Sequence, residues 1–306
     1  MLREVTNNVK IEGILSEVDL KYGSYVKDGK TVETIGGQIK VRVNQVVNGE
    51  EQHLEIPVHM FSNKLTKKGT VNPSYTSIET VMNDYVSIAA AGGEAGADKV
   101  RITRGKVTVN EYYNQQNQLI SFPRISANFI SRATGEFKPE ATFEMEFAVS
   151  NMAYEVDKDG VEVEPQRLNI TAIVPQFGGK VDVIKLVATN PNVINAIESN
   201  WEKDYTYKAY GRLNFSSKTE KVIQEVGFGE PVEKVRTITV SDLVITGGNP
   251  DPIEGDFALD INDVIQGLNE RKARLEALKT QNKSKKAPAA TPAAGKGALE
   301  MEDLGF

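Results

Sequence analysis

The sequence contains no cysteine and only two histidines. Without thiols the chain can form neither disulfides nor thiolate metal sites, so we expect it to reside in a reducing cytoplasm. No apolar run approaches the roughly 18 residues of a membrane-spanning helix, and the first residues carry no signal-peptide pattern. These absences predict a soluble protein with no membrane partner.

The few residues that could support catalysis or bind a metal are poorly placed for it. His53 and His59 share one predicted strand face with Glu55, but an extended strand separates the two imidazoles by about 20 Å, too far for one ion. The glycine-rich segment 92–98 lacks the Gly-Lys-Ser/Thr of a phosphate-binding loop. No other Ser-His-Asp or Cys-His set is available. We therefore expect no enzyme, no metal and no cofactor.

The net charge of the chain is small and negative. The 306 residues contain 36 Lys and Arg against 42 Asp and Glu, a formal charge of −6. This balance argues against a uniformly basic coat, although it permits a local basic surface. The length suits two ordinary domains with extensions.

Most of the sequence consists of short, β-branched, alternating apolar runs, which predict strands. They form two successive sets of five, each with its longest connection after the third strand. The first set covers 9–18, 37–47, 53–61, 100–113 and 121–130, and the second covers 141–152, 167–174, 180–188, 205–215 and 235–245. Each long connection contains a candidate short helix, at 75–85 and 191–201. Because Gly105-Lys106 in the fourth strand recurs as Gly211-Arg212, we interpret the sets as a duplication.

Five strands with a helix between the third and fourth is the order of the OB-fold, a small Greek-key barrel that binds oligonucleotides or oligosaccharides. The predicted fold is therefore mainly β, with OB-like five-stranded barrels at 1–135 and 136–250. The segment 22–30 would be either a ligand-contacting loop or a plain hairpin. The alternative fold, a pair of immunoglobulin-like sandwiches, needs about seven strands per unit and no inserted helix.

After residue 250 the sequence no longer shows the alternation of strands. Residues 251–281 are predicted to form a linker and an amphipathic helix that starts at Asp260, with its apolar stripe at Ile261, Val264, Ile265, Leu268, Leu275 and Leu278. Residues 282–306 have the composition of a disordered Lys/Ala/Pro/Gly tether that ends in an acidic tip. Such a tip is typical of a peptide presented to a partner.

Aromatic and basic residues interleave near the third to fifth strand of each set. Non-specific binding of single strands requires aromatic faces for the bases and cations for the phosphates. The candidate contacts with single-stranded DNA are Arg101, Arg104, Lys106, Tyr112, Tyr113, Phe122 and Arg124 in the first set, and Trp201, Tyr205, Tyr207, Lys208, Tyr210 and Arg212 in the second. Any one of these aromatics could equally belong to the core.

Taken together, these features resemble the single-stranded DNA-binding proteins of bacteria and their phages, most of all a phage type with two OB domains in one chain. In the bacterial family the C-terminal tip is acidic and ends in Pro-Phe. Here Glu300, Glu302, Asp303, Leu304 and Phe306 form the corresponding tip, with Gly305 where the family has Pro.

The resemblance implies binding and protection of single-stranded DNA during replication, recombination or repair, in the host cytoplasm if the protein is phage-encoded. It also implies recruitment of replication or recombination proteins through the tip. An alternative function is that of a structural or adhesion protein of a phage particle, and a carbohydrate-binding module is a third possibility.

Overall fold

A computed structural model describes residues 2–47, 49–224 and 232–286, and in these ranges the chain is mainly β. The strands are β1 (Asn7–Lys27), β2 (Lys30–Val47), β3 (Glu50–Asn63), β4 (Lys99–Tyr113), β5 (Leu119–Ser126), β6 (Ser131–Arg132), β7 (Glu140–Tyr154), β8 (Leu168–Pro175), β9 (Val181–Ala188), β10 (Thr206–Gln224) and β11 (Val232–Gly248). The helices are α1 (Pro73–Asp84), α2 (Ile88–Ala91), α3 (Pro191–Asn200) and α4 (Ile261–Lys286), with short 3₁₀ turns at Glu94–Gly96 and Gly255–Phe257. None of the helices in these ranges is long and apolar enough to cross a membrane.

Strand pairing joins the strands into two circuits of the same order. In the first circuit β1 pairs with β2, β2 with β3, β3 with β5 in parallel, β5 with β4, and β4 with β1 again. In the second circuit β7, β8, β9, β11 and β10 follow one another in the same way and return to β7. The parallel step falls between the third and fifth strand in both. Each circuit thus has the strand order expected of an OB-like unit.

The two circuits are joined by antiparallel pairing of β1 with β7, which we call the seam. Val9 pairs with Phe143 across it, and each of these residues also pairs with a glycine in the fourth strand of its own circuit, Gly105 or Gly211. The seam is therefore nearly symmetric about the Val9–Phe143 pair. One cluster of buried side chains extends through both circuits, so their cores are continuous.

The recurrent glycines are required by close packing at the seam. A Cβ on Gly211 would lie 2.0 Å from the Val244 carbonyl oxygen and 2.8 Å from the Phe143 ring. A Cβ on Gly105 would lie 3.1 Å from the Cβ of Val9. The glycine keeps the fourth strand close to the first in each circuit, more tightly in the second.

The helix after the third strand is built the same way in both circuits. Asn72 and Asn190 cap α1 and α3, their side chains accepting hydrogen bonds from the backbone of Ser74 and Asn192, and a proline takes the first helical position. A side-chain acceptor followed by proline is a strong helix start. This Asn-Pro signal was readable in the sequence.

The structure decides one open segment and corrects one predicted boundary. Of the two interpretations of segment 22–30, the hairpin is correct: β1 runs to Lys27, β2 begins at Lys30, and Asp28 and Gly29 in the turn between them both have positive φ. That conformation is typical of a two-residue hairpin turn. The predicted start of the tether at residue 282 is wrong in part, since α4 continues to Lys286.

Helix α4 bridges the two circuits. It begins after Asp260, whose carboxylate accepts from the Asn262 N–H, and it buries Val264 and Leu275. The predicted stripe is only partly correct, because Ile265 and Leu278 are exposed. Toward its C-terminal end the helix reaches the β4–β5 hairpin of the first circuit.

A charged cluster joins α4 to both circuits. Arg271 and Arg274 bind the buried carboxylate of Glu111 on β4. Next to them, the buried carboxylate of Asp182 on β9 accepts from the Val109 N–H at 3.2 Å. Burial raises the pKa of Asp182 above its ordinary value, and the charge of Glu111 adds to the increase. The cluster fixes the hairpin relative to the second circuit.

Substitution of Gly211 and of Gly105 should lower stability by different amounts. Gly211→Ala should lower the free energy of unfolding by about 1–3 kcal/mol because the added methyl group overlaps a strand carbonyl. Gly105→Ala should cost less, since the nearest atoms, the Cβ and the carbonyl oxygen of Val9, lie 3.1 and 3.2 Å from the added methyl group. Chemical denaturation measures both changes. Equal losses in the two variants would contradict the packing described at the seam.

Asp182→Asn should change how stability depends on pH. A raised pKa in the folded state means that the contribution of Asp182 to stability is fully present below the unfolded pKa, about 3.8, and is lost as pH rises through the folded value. The variant keeps an acceptor for the Val109 N–H and has no charge to bury. Its free energy of unfolding relative to wild type should therefore increase from acid to neutral pH. A constant difference across that range would be the contrary result.

Candidate nucleic-acid interface

The outer surface of the first circuit carries cations on β4 and β5. Val107 and Ile125 pair with each other and are buried, so their neighbours in both strands point outward. The outward set includes Lys106, which pairs with Ser126, and Thr108, which pairs with Arg124. Backbone alternation thus places the predicted cations Lys106 and Arg124 on this surface.

Two predicted aromatic residues lie further along the same hairpin. The rings of Tyr112 and Phe122 meet edge to face with centroids 6.3 Å apart. They are 46% and 41% exposed, respectively. Tyr113, on the opposite face of β4, is less exposed and lies 5.9 Å from the Lys279 ammonium of α4. Tyr112 and Phe122 present ring surface on which a base could stack.

Phe61 on β3 extends the aromatic surface and was not among the predicted contacts. Its ring is 48% exposed, whereas Val58 and Met60 beside it are buried. Period-two alternation through residues 53–61 would have identified it. His59 on the same outward face has its pKa lowered by burial and by the nearby charge of Arg124, which favours a neutral imidazole at pH 7.

A second group of predicted residues lies on the outer face of the sheet formed by β4, β1, β7 and β10, which we call the seam face. Arg104 and Lys106 lie on its β4 side, while Lys208, Tyr210 and Arg212 lie on β10. Lys208 is paired with Glu144 at 2.5 Å. The side chains of Arg104, Lys106 and Arg212 form no hydrogen bond or ion pair with any other residue that the structure describes. These three cations are free to meet phosphates.

The hairpin of β1 and β2 adds a lysine groove that runs beside the loop after β3. This groove has a volume of about 600 Å³ and is lined in part by Tyr25, Lys27, Lys30, Lys64 and Lys67. Lys64 is paired with Glu33 at 2.8 Å, and the other three lysines have no partner within the described ranges. Cations therefore continue beyond the predicted contacts to the tip of the β1–β2 hairpin.

Two predicted contacts are buried in the core, and a third is held in an ion pair. Trp201 and Tyr207 belong to the core, at 5% and 1% exposed, and their rings stack on each other with centroids 5.0 Å apart. The Trp201 N–H donates to the Asn249 carbonyl, and the Tyr207 hydroxyl donates to the Asn200 carbonyl. Arg101 is held by both oxygens of Glu12 at 2.7 and 2.9 Å. Tyr205, in contrast, is exposed just before β10.

The two histidines make ordinary strand contacts. His53 Nδ1 lies 2.9 Å from Asn44 Oδ1, and Glu55 accepts from Arg42 and Ser16. No three His, Cys, Asp or Glu side chains in residues 2–47, 49–224 and 232–286 lie close enough together to hold a metal ion.

The fold is shared with a protein of known structure. A deletion mutant of the single-stranded DNA-binding protein from Thermus aquaticus superimposes with a TM-score of 0.50 at 10% identity, covering 82% of this chain and 97% of that chain. The wild-type Thermus aquaticus protein gives a TM-score of 0.49 at 10% identity over 83% of this chain and 96% of that chain. The first match supports an OB-fold-like architecture for this chain.

Residues 6–281 match the family described as YorF, so the chain belongs to the YorF family. No curated protein matches the sequence.

The burial of Trp201 gives a prediction that separates core from interface. Trp201→Ala should lower the free energy of unfolding by about 3–5 kcal/mol, because it removes a large buried ring and its part-buried hydrogen bond to Asn249. Tyr205→Ala, at an exposed aromatic a few residues away, should change it by less than about 0.5 kcal/mol. Thermal or denaturant unfolding measures both. A Trp201→Ala variant as stable as wild type would contradict the core assignment.

Proposed function

We propose that this protein binds and protects single-stranded DNA without catalysis, through the outer surface of its first circuit and the seam face. The observation that carries the proposal is the combination of exposed rings with cations that lack partners among the described residues. Tyr112, Phe122 and Phe61 supply the rings, and Lys106 and Arg124 lie on the strands between them.

The chemistry of this surface suits a single strand better than a duplex. A single strand exposes base faces that can stack on aromatic side chains, each contact contributing about 1–3 kcal/mol. A duplex hides those faces and offers mainly phosphates. Cations that follow the backbone release counterions on binding, which makes the affinity depend on salt. The fold shared with a single-stranded DNA-binding protein is consistent with this role.

Each circuit is, in this proposal, a closed OB barrel, with the duplicated domains at 1–135 and 136–250. The strand order and the parallel pairing of the third and fifth strands support it. In such a barrel the strand 2–3 face and the hairpins beside it bind the ligand. Phe61, the lysine groove and the β4–β5 hairpin occupy those positions in the first circuit.

The cellular role is proposed from the sequence alone. We propose a phage-type protein of DNA replication, recombination or repair that works in the host cytoplasm. Its partner enzymes would be recruited through Glu300, Glu302, Asp303, Leu304 and Phe306, which lie outside the described residues. Deletion of Phe306 is the first change to make in a test of recruitment.

The double variant Tyr112→Ala with Phe122→Ala should weaken oligo-dT binding by at least about 30-fold, because it removes two stacking surfaces that contribute about 1–3 kcal/mol each. Fluorescence anisotropy of a labelled oligonucleotide measures the affinity. The matched control is Phe257→Ala, which removes a ring that is 72% exposed but lies in the turn before α4, outside the interface. The control should bind like wild type.

The control should unfold close to wild type, since its ring is 72% exposed, and the double variant should keep the fold, since neither of its rings belongs to the buried core. Unchanged affinity in the stably folded double variant would exclude this surface as the binding site. Equal losses in the double variant and the control would also contradict it, because binding would then not depend on where the aromatic residue lies.

A further inference from the structure

A cleft of about 620 Å³ lies between the β2–β3 face of the first circuit and the β10–β11 hairpin of the second. Its floor is the outer face of β2 and β3, including Gln38 and Pro57, and one side is formed by Ile88 and Ala89 of α2. Its roof is the base of the β10–β11 hairpin, which the second circuit contributes through Phe215, Ser216, Val240 and Ser241. The second circuit thus covers part of the strand 2–3 face of the first.

The cations in this cleft are already neutralised. Lys40 is paired with Glu17 at 2.5 Å, and Arg42 binds Glu55 at 2.6 Å and Glu94 at 3.1 Å. The remaining lining consists of apolar side chains together with hydroxyl and amide groups. Such walls suit flat, neutral groups with hydrogen-bonding edges and are less suited to phosphates. Among the parts of a nucleic acid, that description fits the bases.

The corresponding face of the second circuit is not open in the same way. Ile173 on β8 and Val181 on β9 are buried in a small cluster with Leu259 and Val264, which belong to α4 and the segment before it. Part of the β8–β9 surface is therefore occupied by the chain itself. Among the described residues, the duplicated circuits therefore differ in exposure at equivalent strands.

We propose that the two circuits form one composite track, in which bases of a single strand enter the cleft and the β10–β11 hairpin acts as its roof. This inference rests on the proposed binding of single-stranded DNA. Phosphates would then follow the lysine groove on one side of the cleft and the free cations of β4 on the other. The protein would hold one DNA strand across both circuits, instead of one DNA strand on each circuit.

The absence of cysteine makes a footprinting test possible, because each single-cysteine variant carries one thiol. Ala89→Cys places the thiol on the side of the cleft and Ser216→Cys places it on the roof. Ala90→Cys is the matched control on the same short helix, where the side chain is exposed but does not line the cleft. Lys185→Cys reports on the outer face of β9.

Each variant is labelled with a maleimide, with and without saturating oligo-dT, while anisotropy reports whether DNA is bound. We expect DNA to slow labelling at Ala89→Cys and Ser216→Cys by more than tenfold, and to change it by less than twofold at Ala90→Cys and Lys185→Cys. Protection at both cleft positions, Ala89→Cys and Ser216→Cys, would show that the DNA strand occupies the cleft.

The outcomes separate this inference from the proposed function. If DNA binds but neither cleft variant is protected, the composite track is wrong and single-strand binding stands. Protection at Lys185→Cys as strong as at Ala89→Cys would also overturn it, since both circuits would then bind alike. Absence of any DNA binding by wild type would overturn both proposals. Slow labelling without DNA that becomes fast after removal of residues 287–306 would assign the cleft to the chain's own end and overturn the track.

Discussion

The pairing of β1 with β7 is the interaction on which the rest of the structure depends. Because Val9 lies opposite Phe143, two five-stranded circuits become parts of one sheet with one continuous core. The residues around this pair allow little variation, because a Cβ on Gly211 would lie 2.8 Å from the Phe143 ring. The seam fixes where the second circuit lies relative to the first, and therefore where its long hairpin passes.

The two duplicated circuits expose different kinds of surface. The first circuit exposes rings on β3, β4 and β5 beside cations that lack side-chain partners in the described part of the chain, whereas the second buries its Trp201 and Tyr207 in the core. Helix α4 adds to the difference: it covers part of β8 and β9, and Arg271 ties it to Glu111 on β4. One circuit supplies most of the proposed binding surface, and the other supplies support and the roof of the cleft.

The sequence predicted most strands and helices well, but it did not predict which aromatic side chains are buried. Alternation and the glycine repeat indicated ten strands and their duplication, and the two long connections indicated α1 and α3. The Asn-Pro pairs could have placed the starts of both helices but were not used. Phe61 could have been predicted from the same alternation. Trp201 and Tyr207 could not be assigned, because their burial depends on stacking with each other and on a hydrogen bond to Asn249, 48 residues away from Trp201. The lengths of the β1–β2 and β10–β11 hairpins were also missed, since polar strands that leave the core lose the apolar alternation.

The most direct test of single-strand binding is a comparison of oligo-dT with a duplex of equal length over a range of salt concentrations, read by fluorescence anisotropy of the unmodified protein. Stacking on exposed rings predicts that the single strand binds more than tenfold tighter at each salt concentration, and phosphate contacts predict that its affinity falls as salt increases. Equal affinity for the duplex, or no binding to either, would contradict the account.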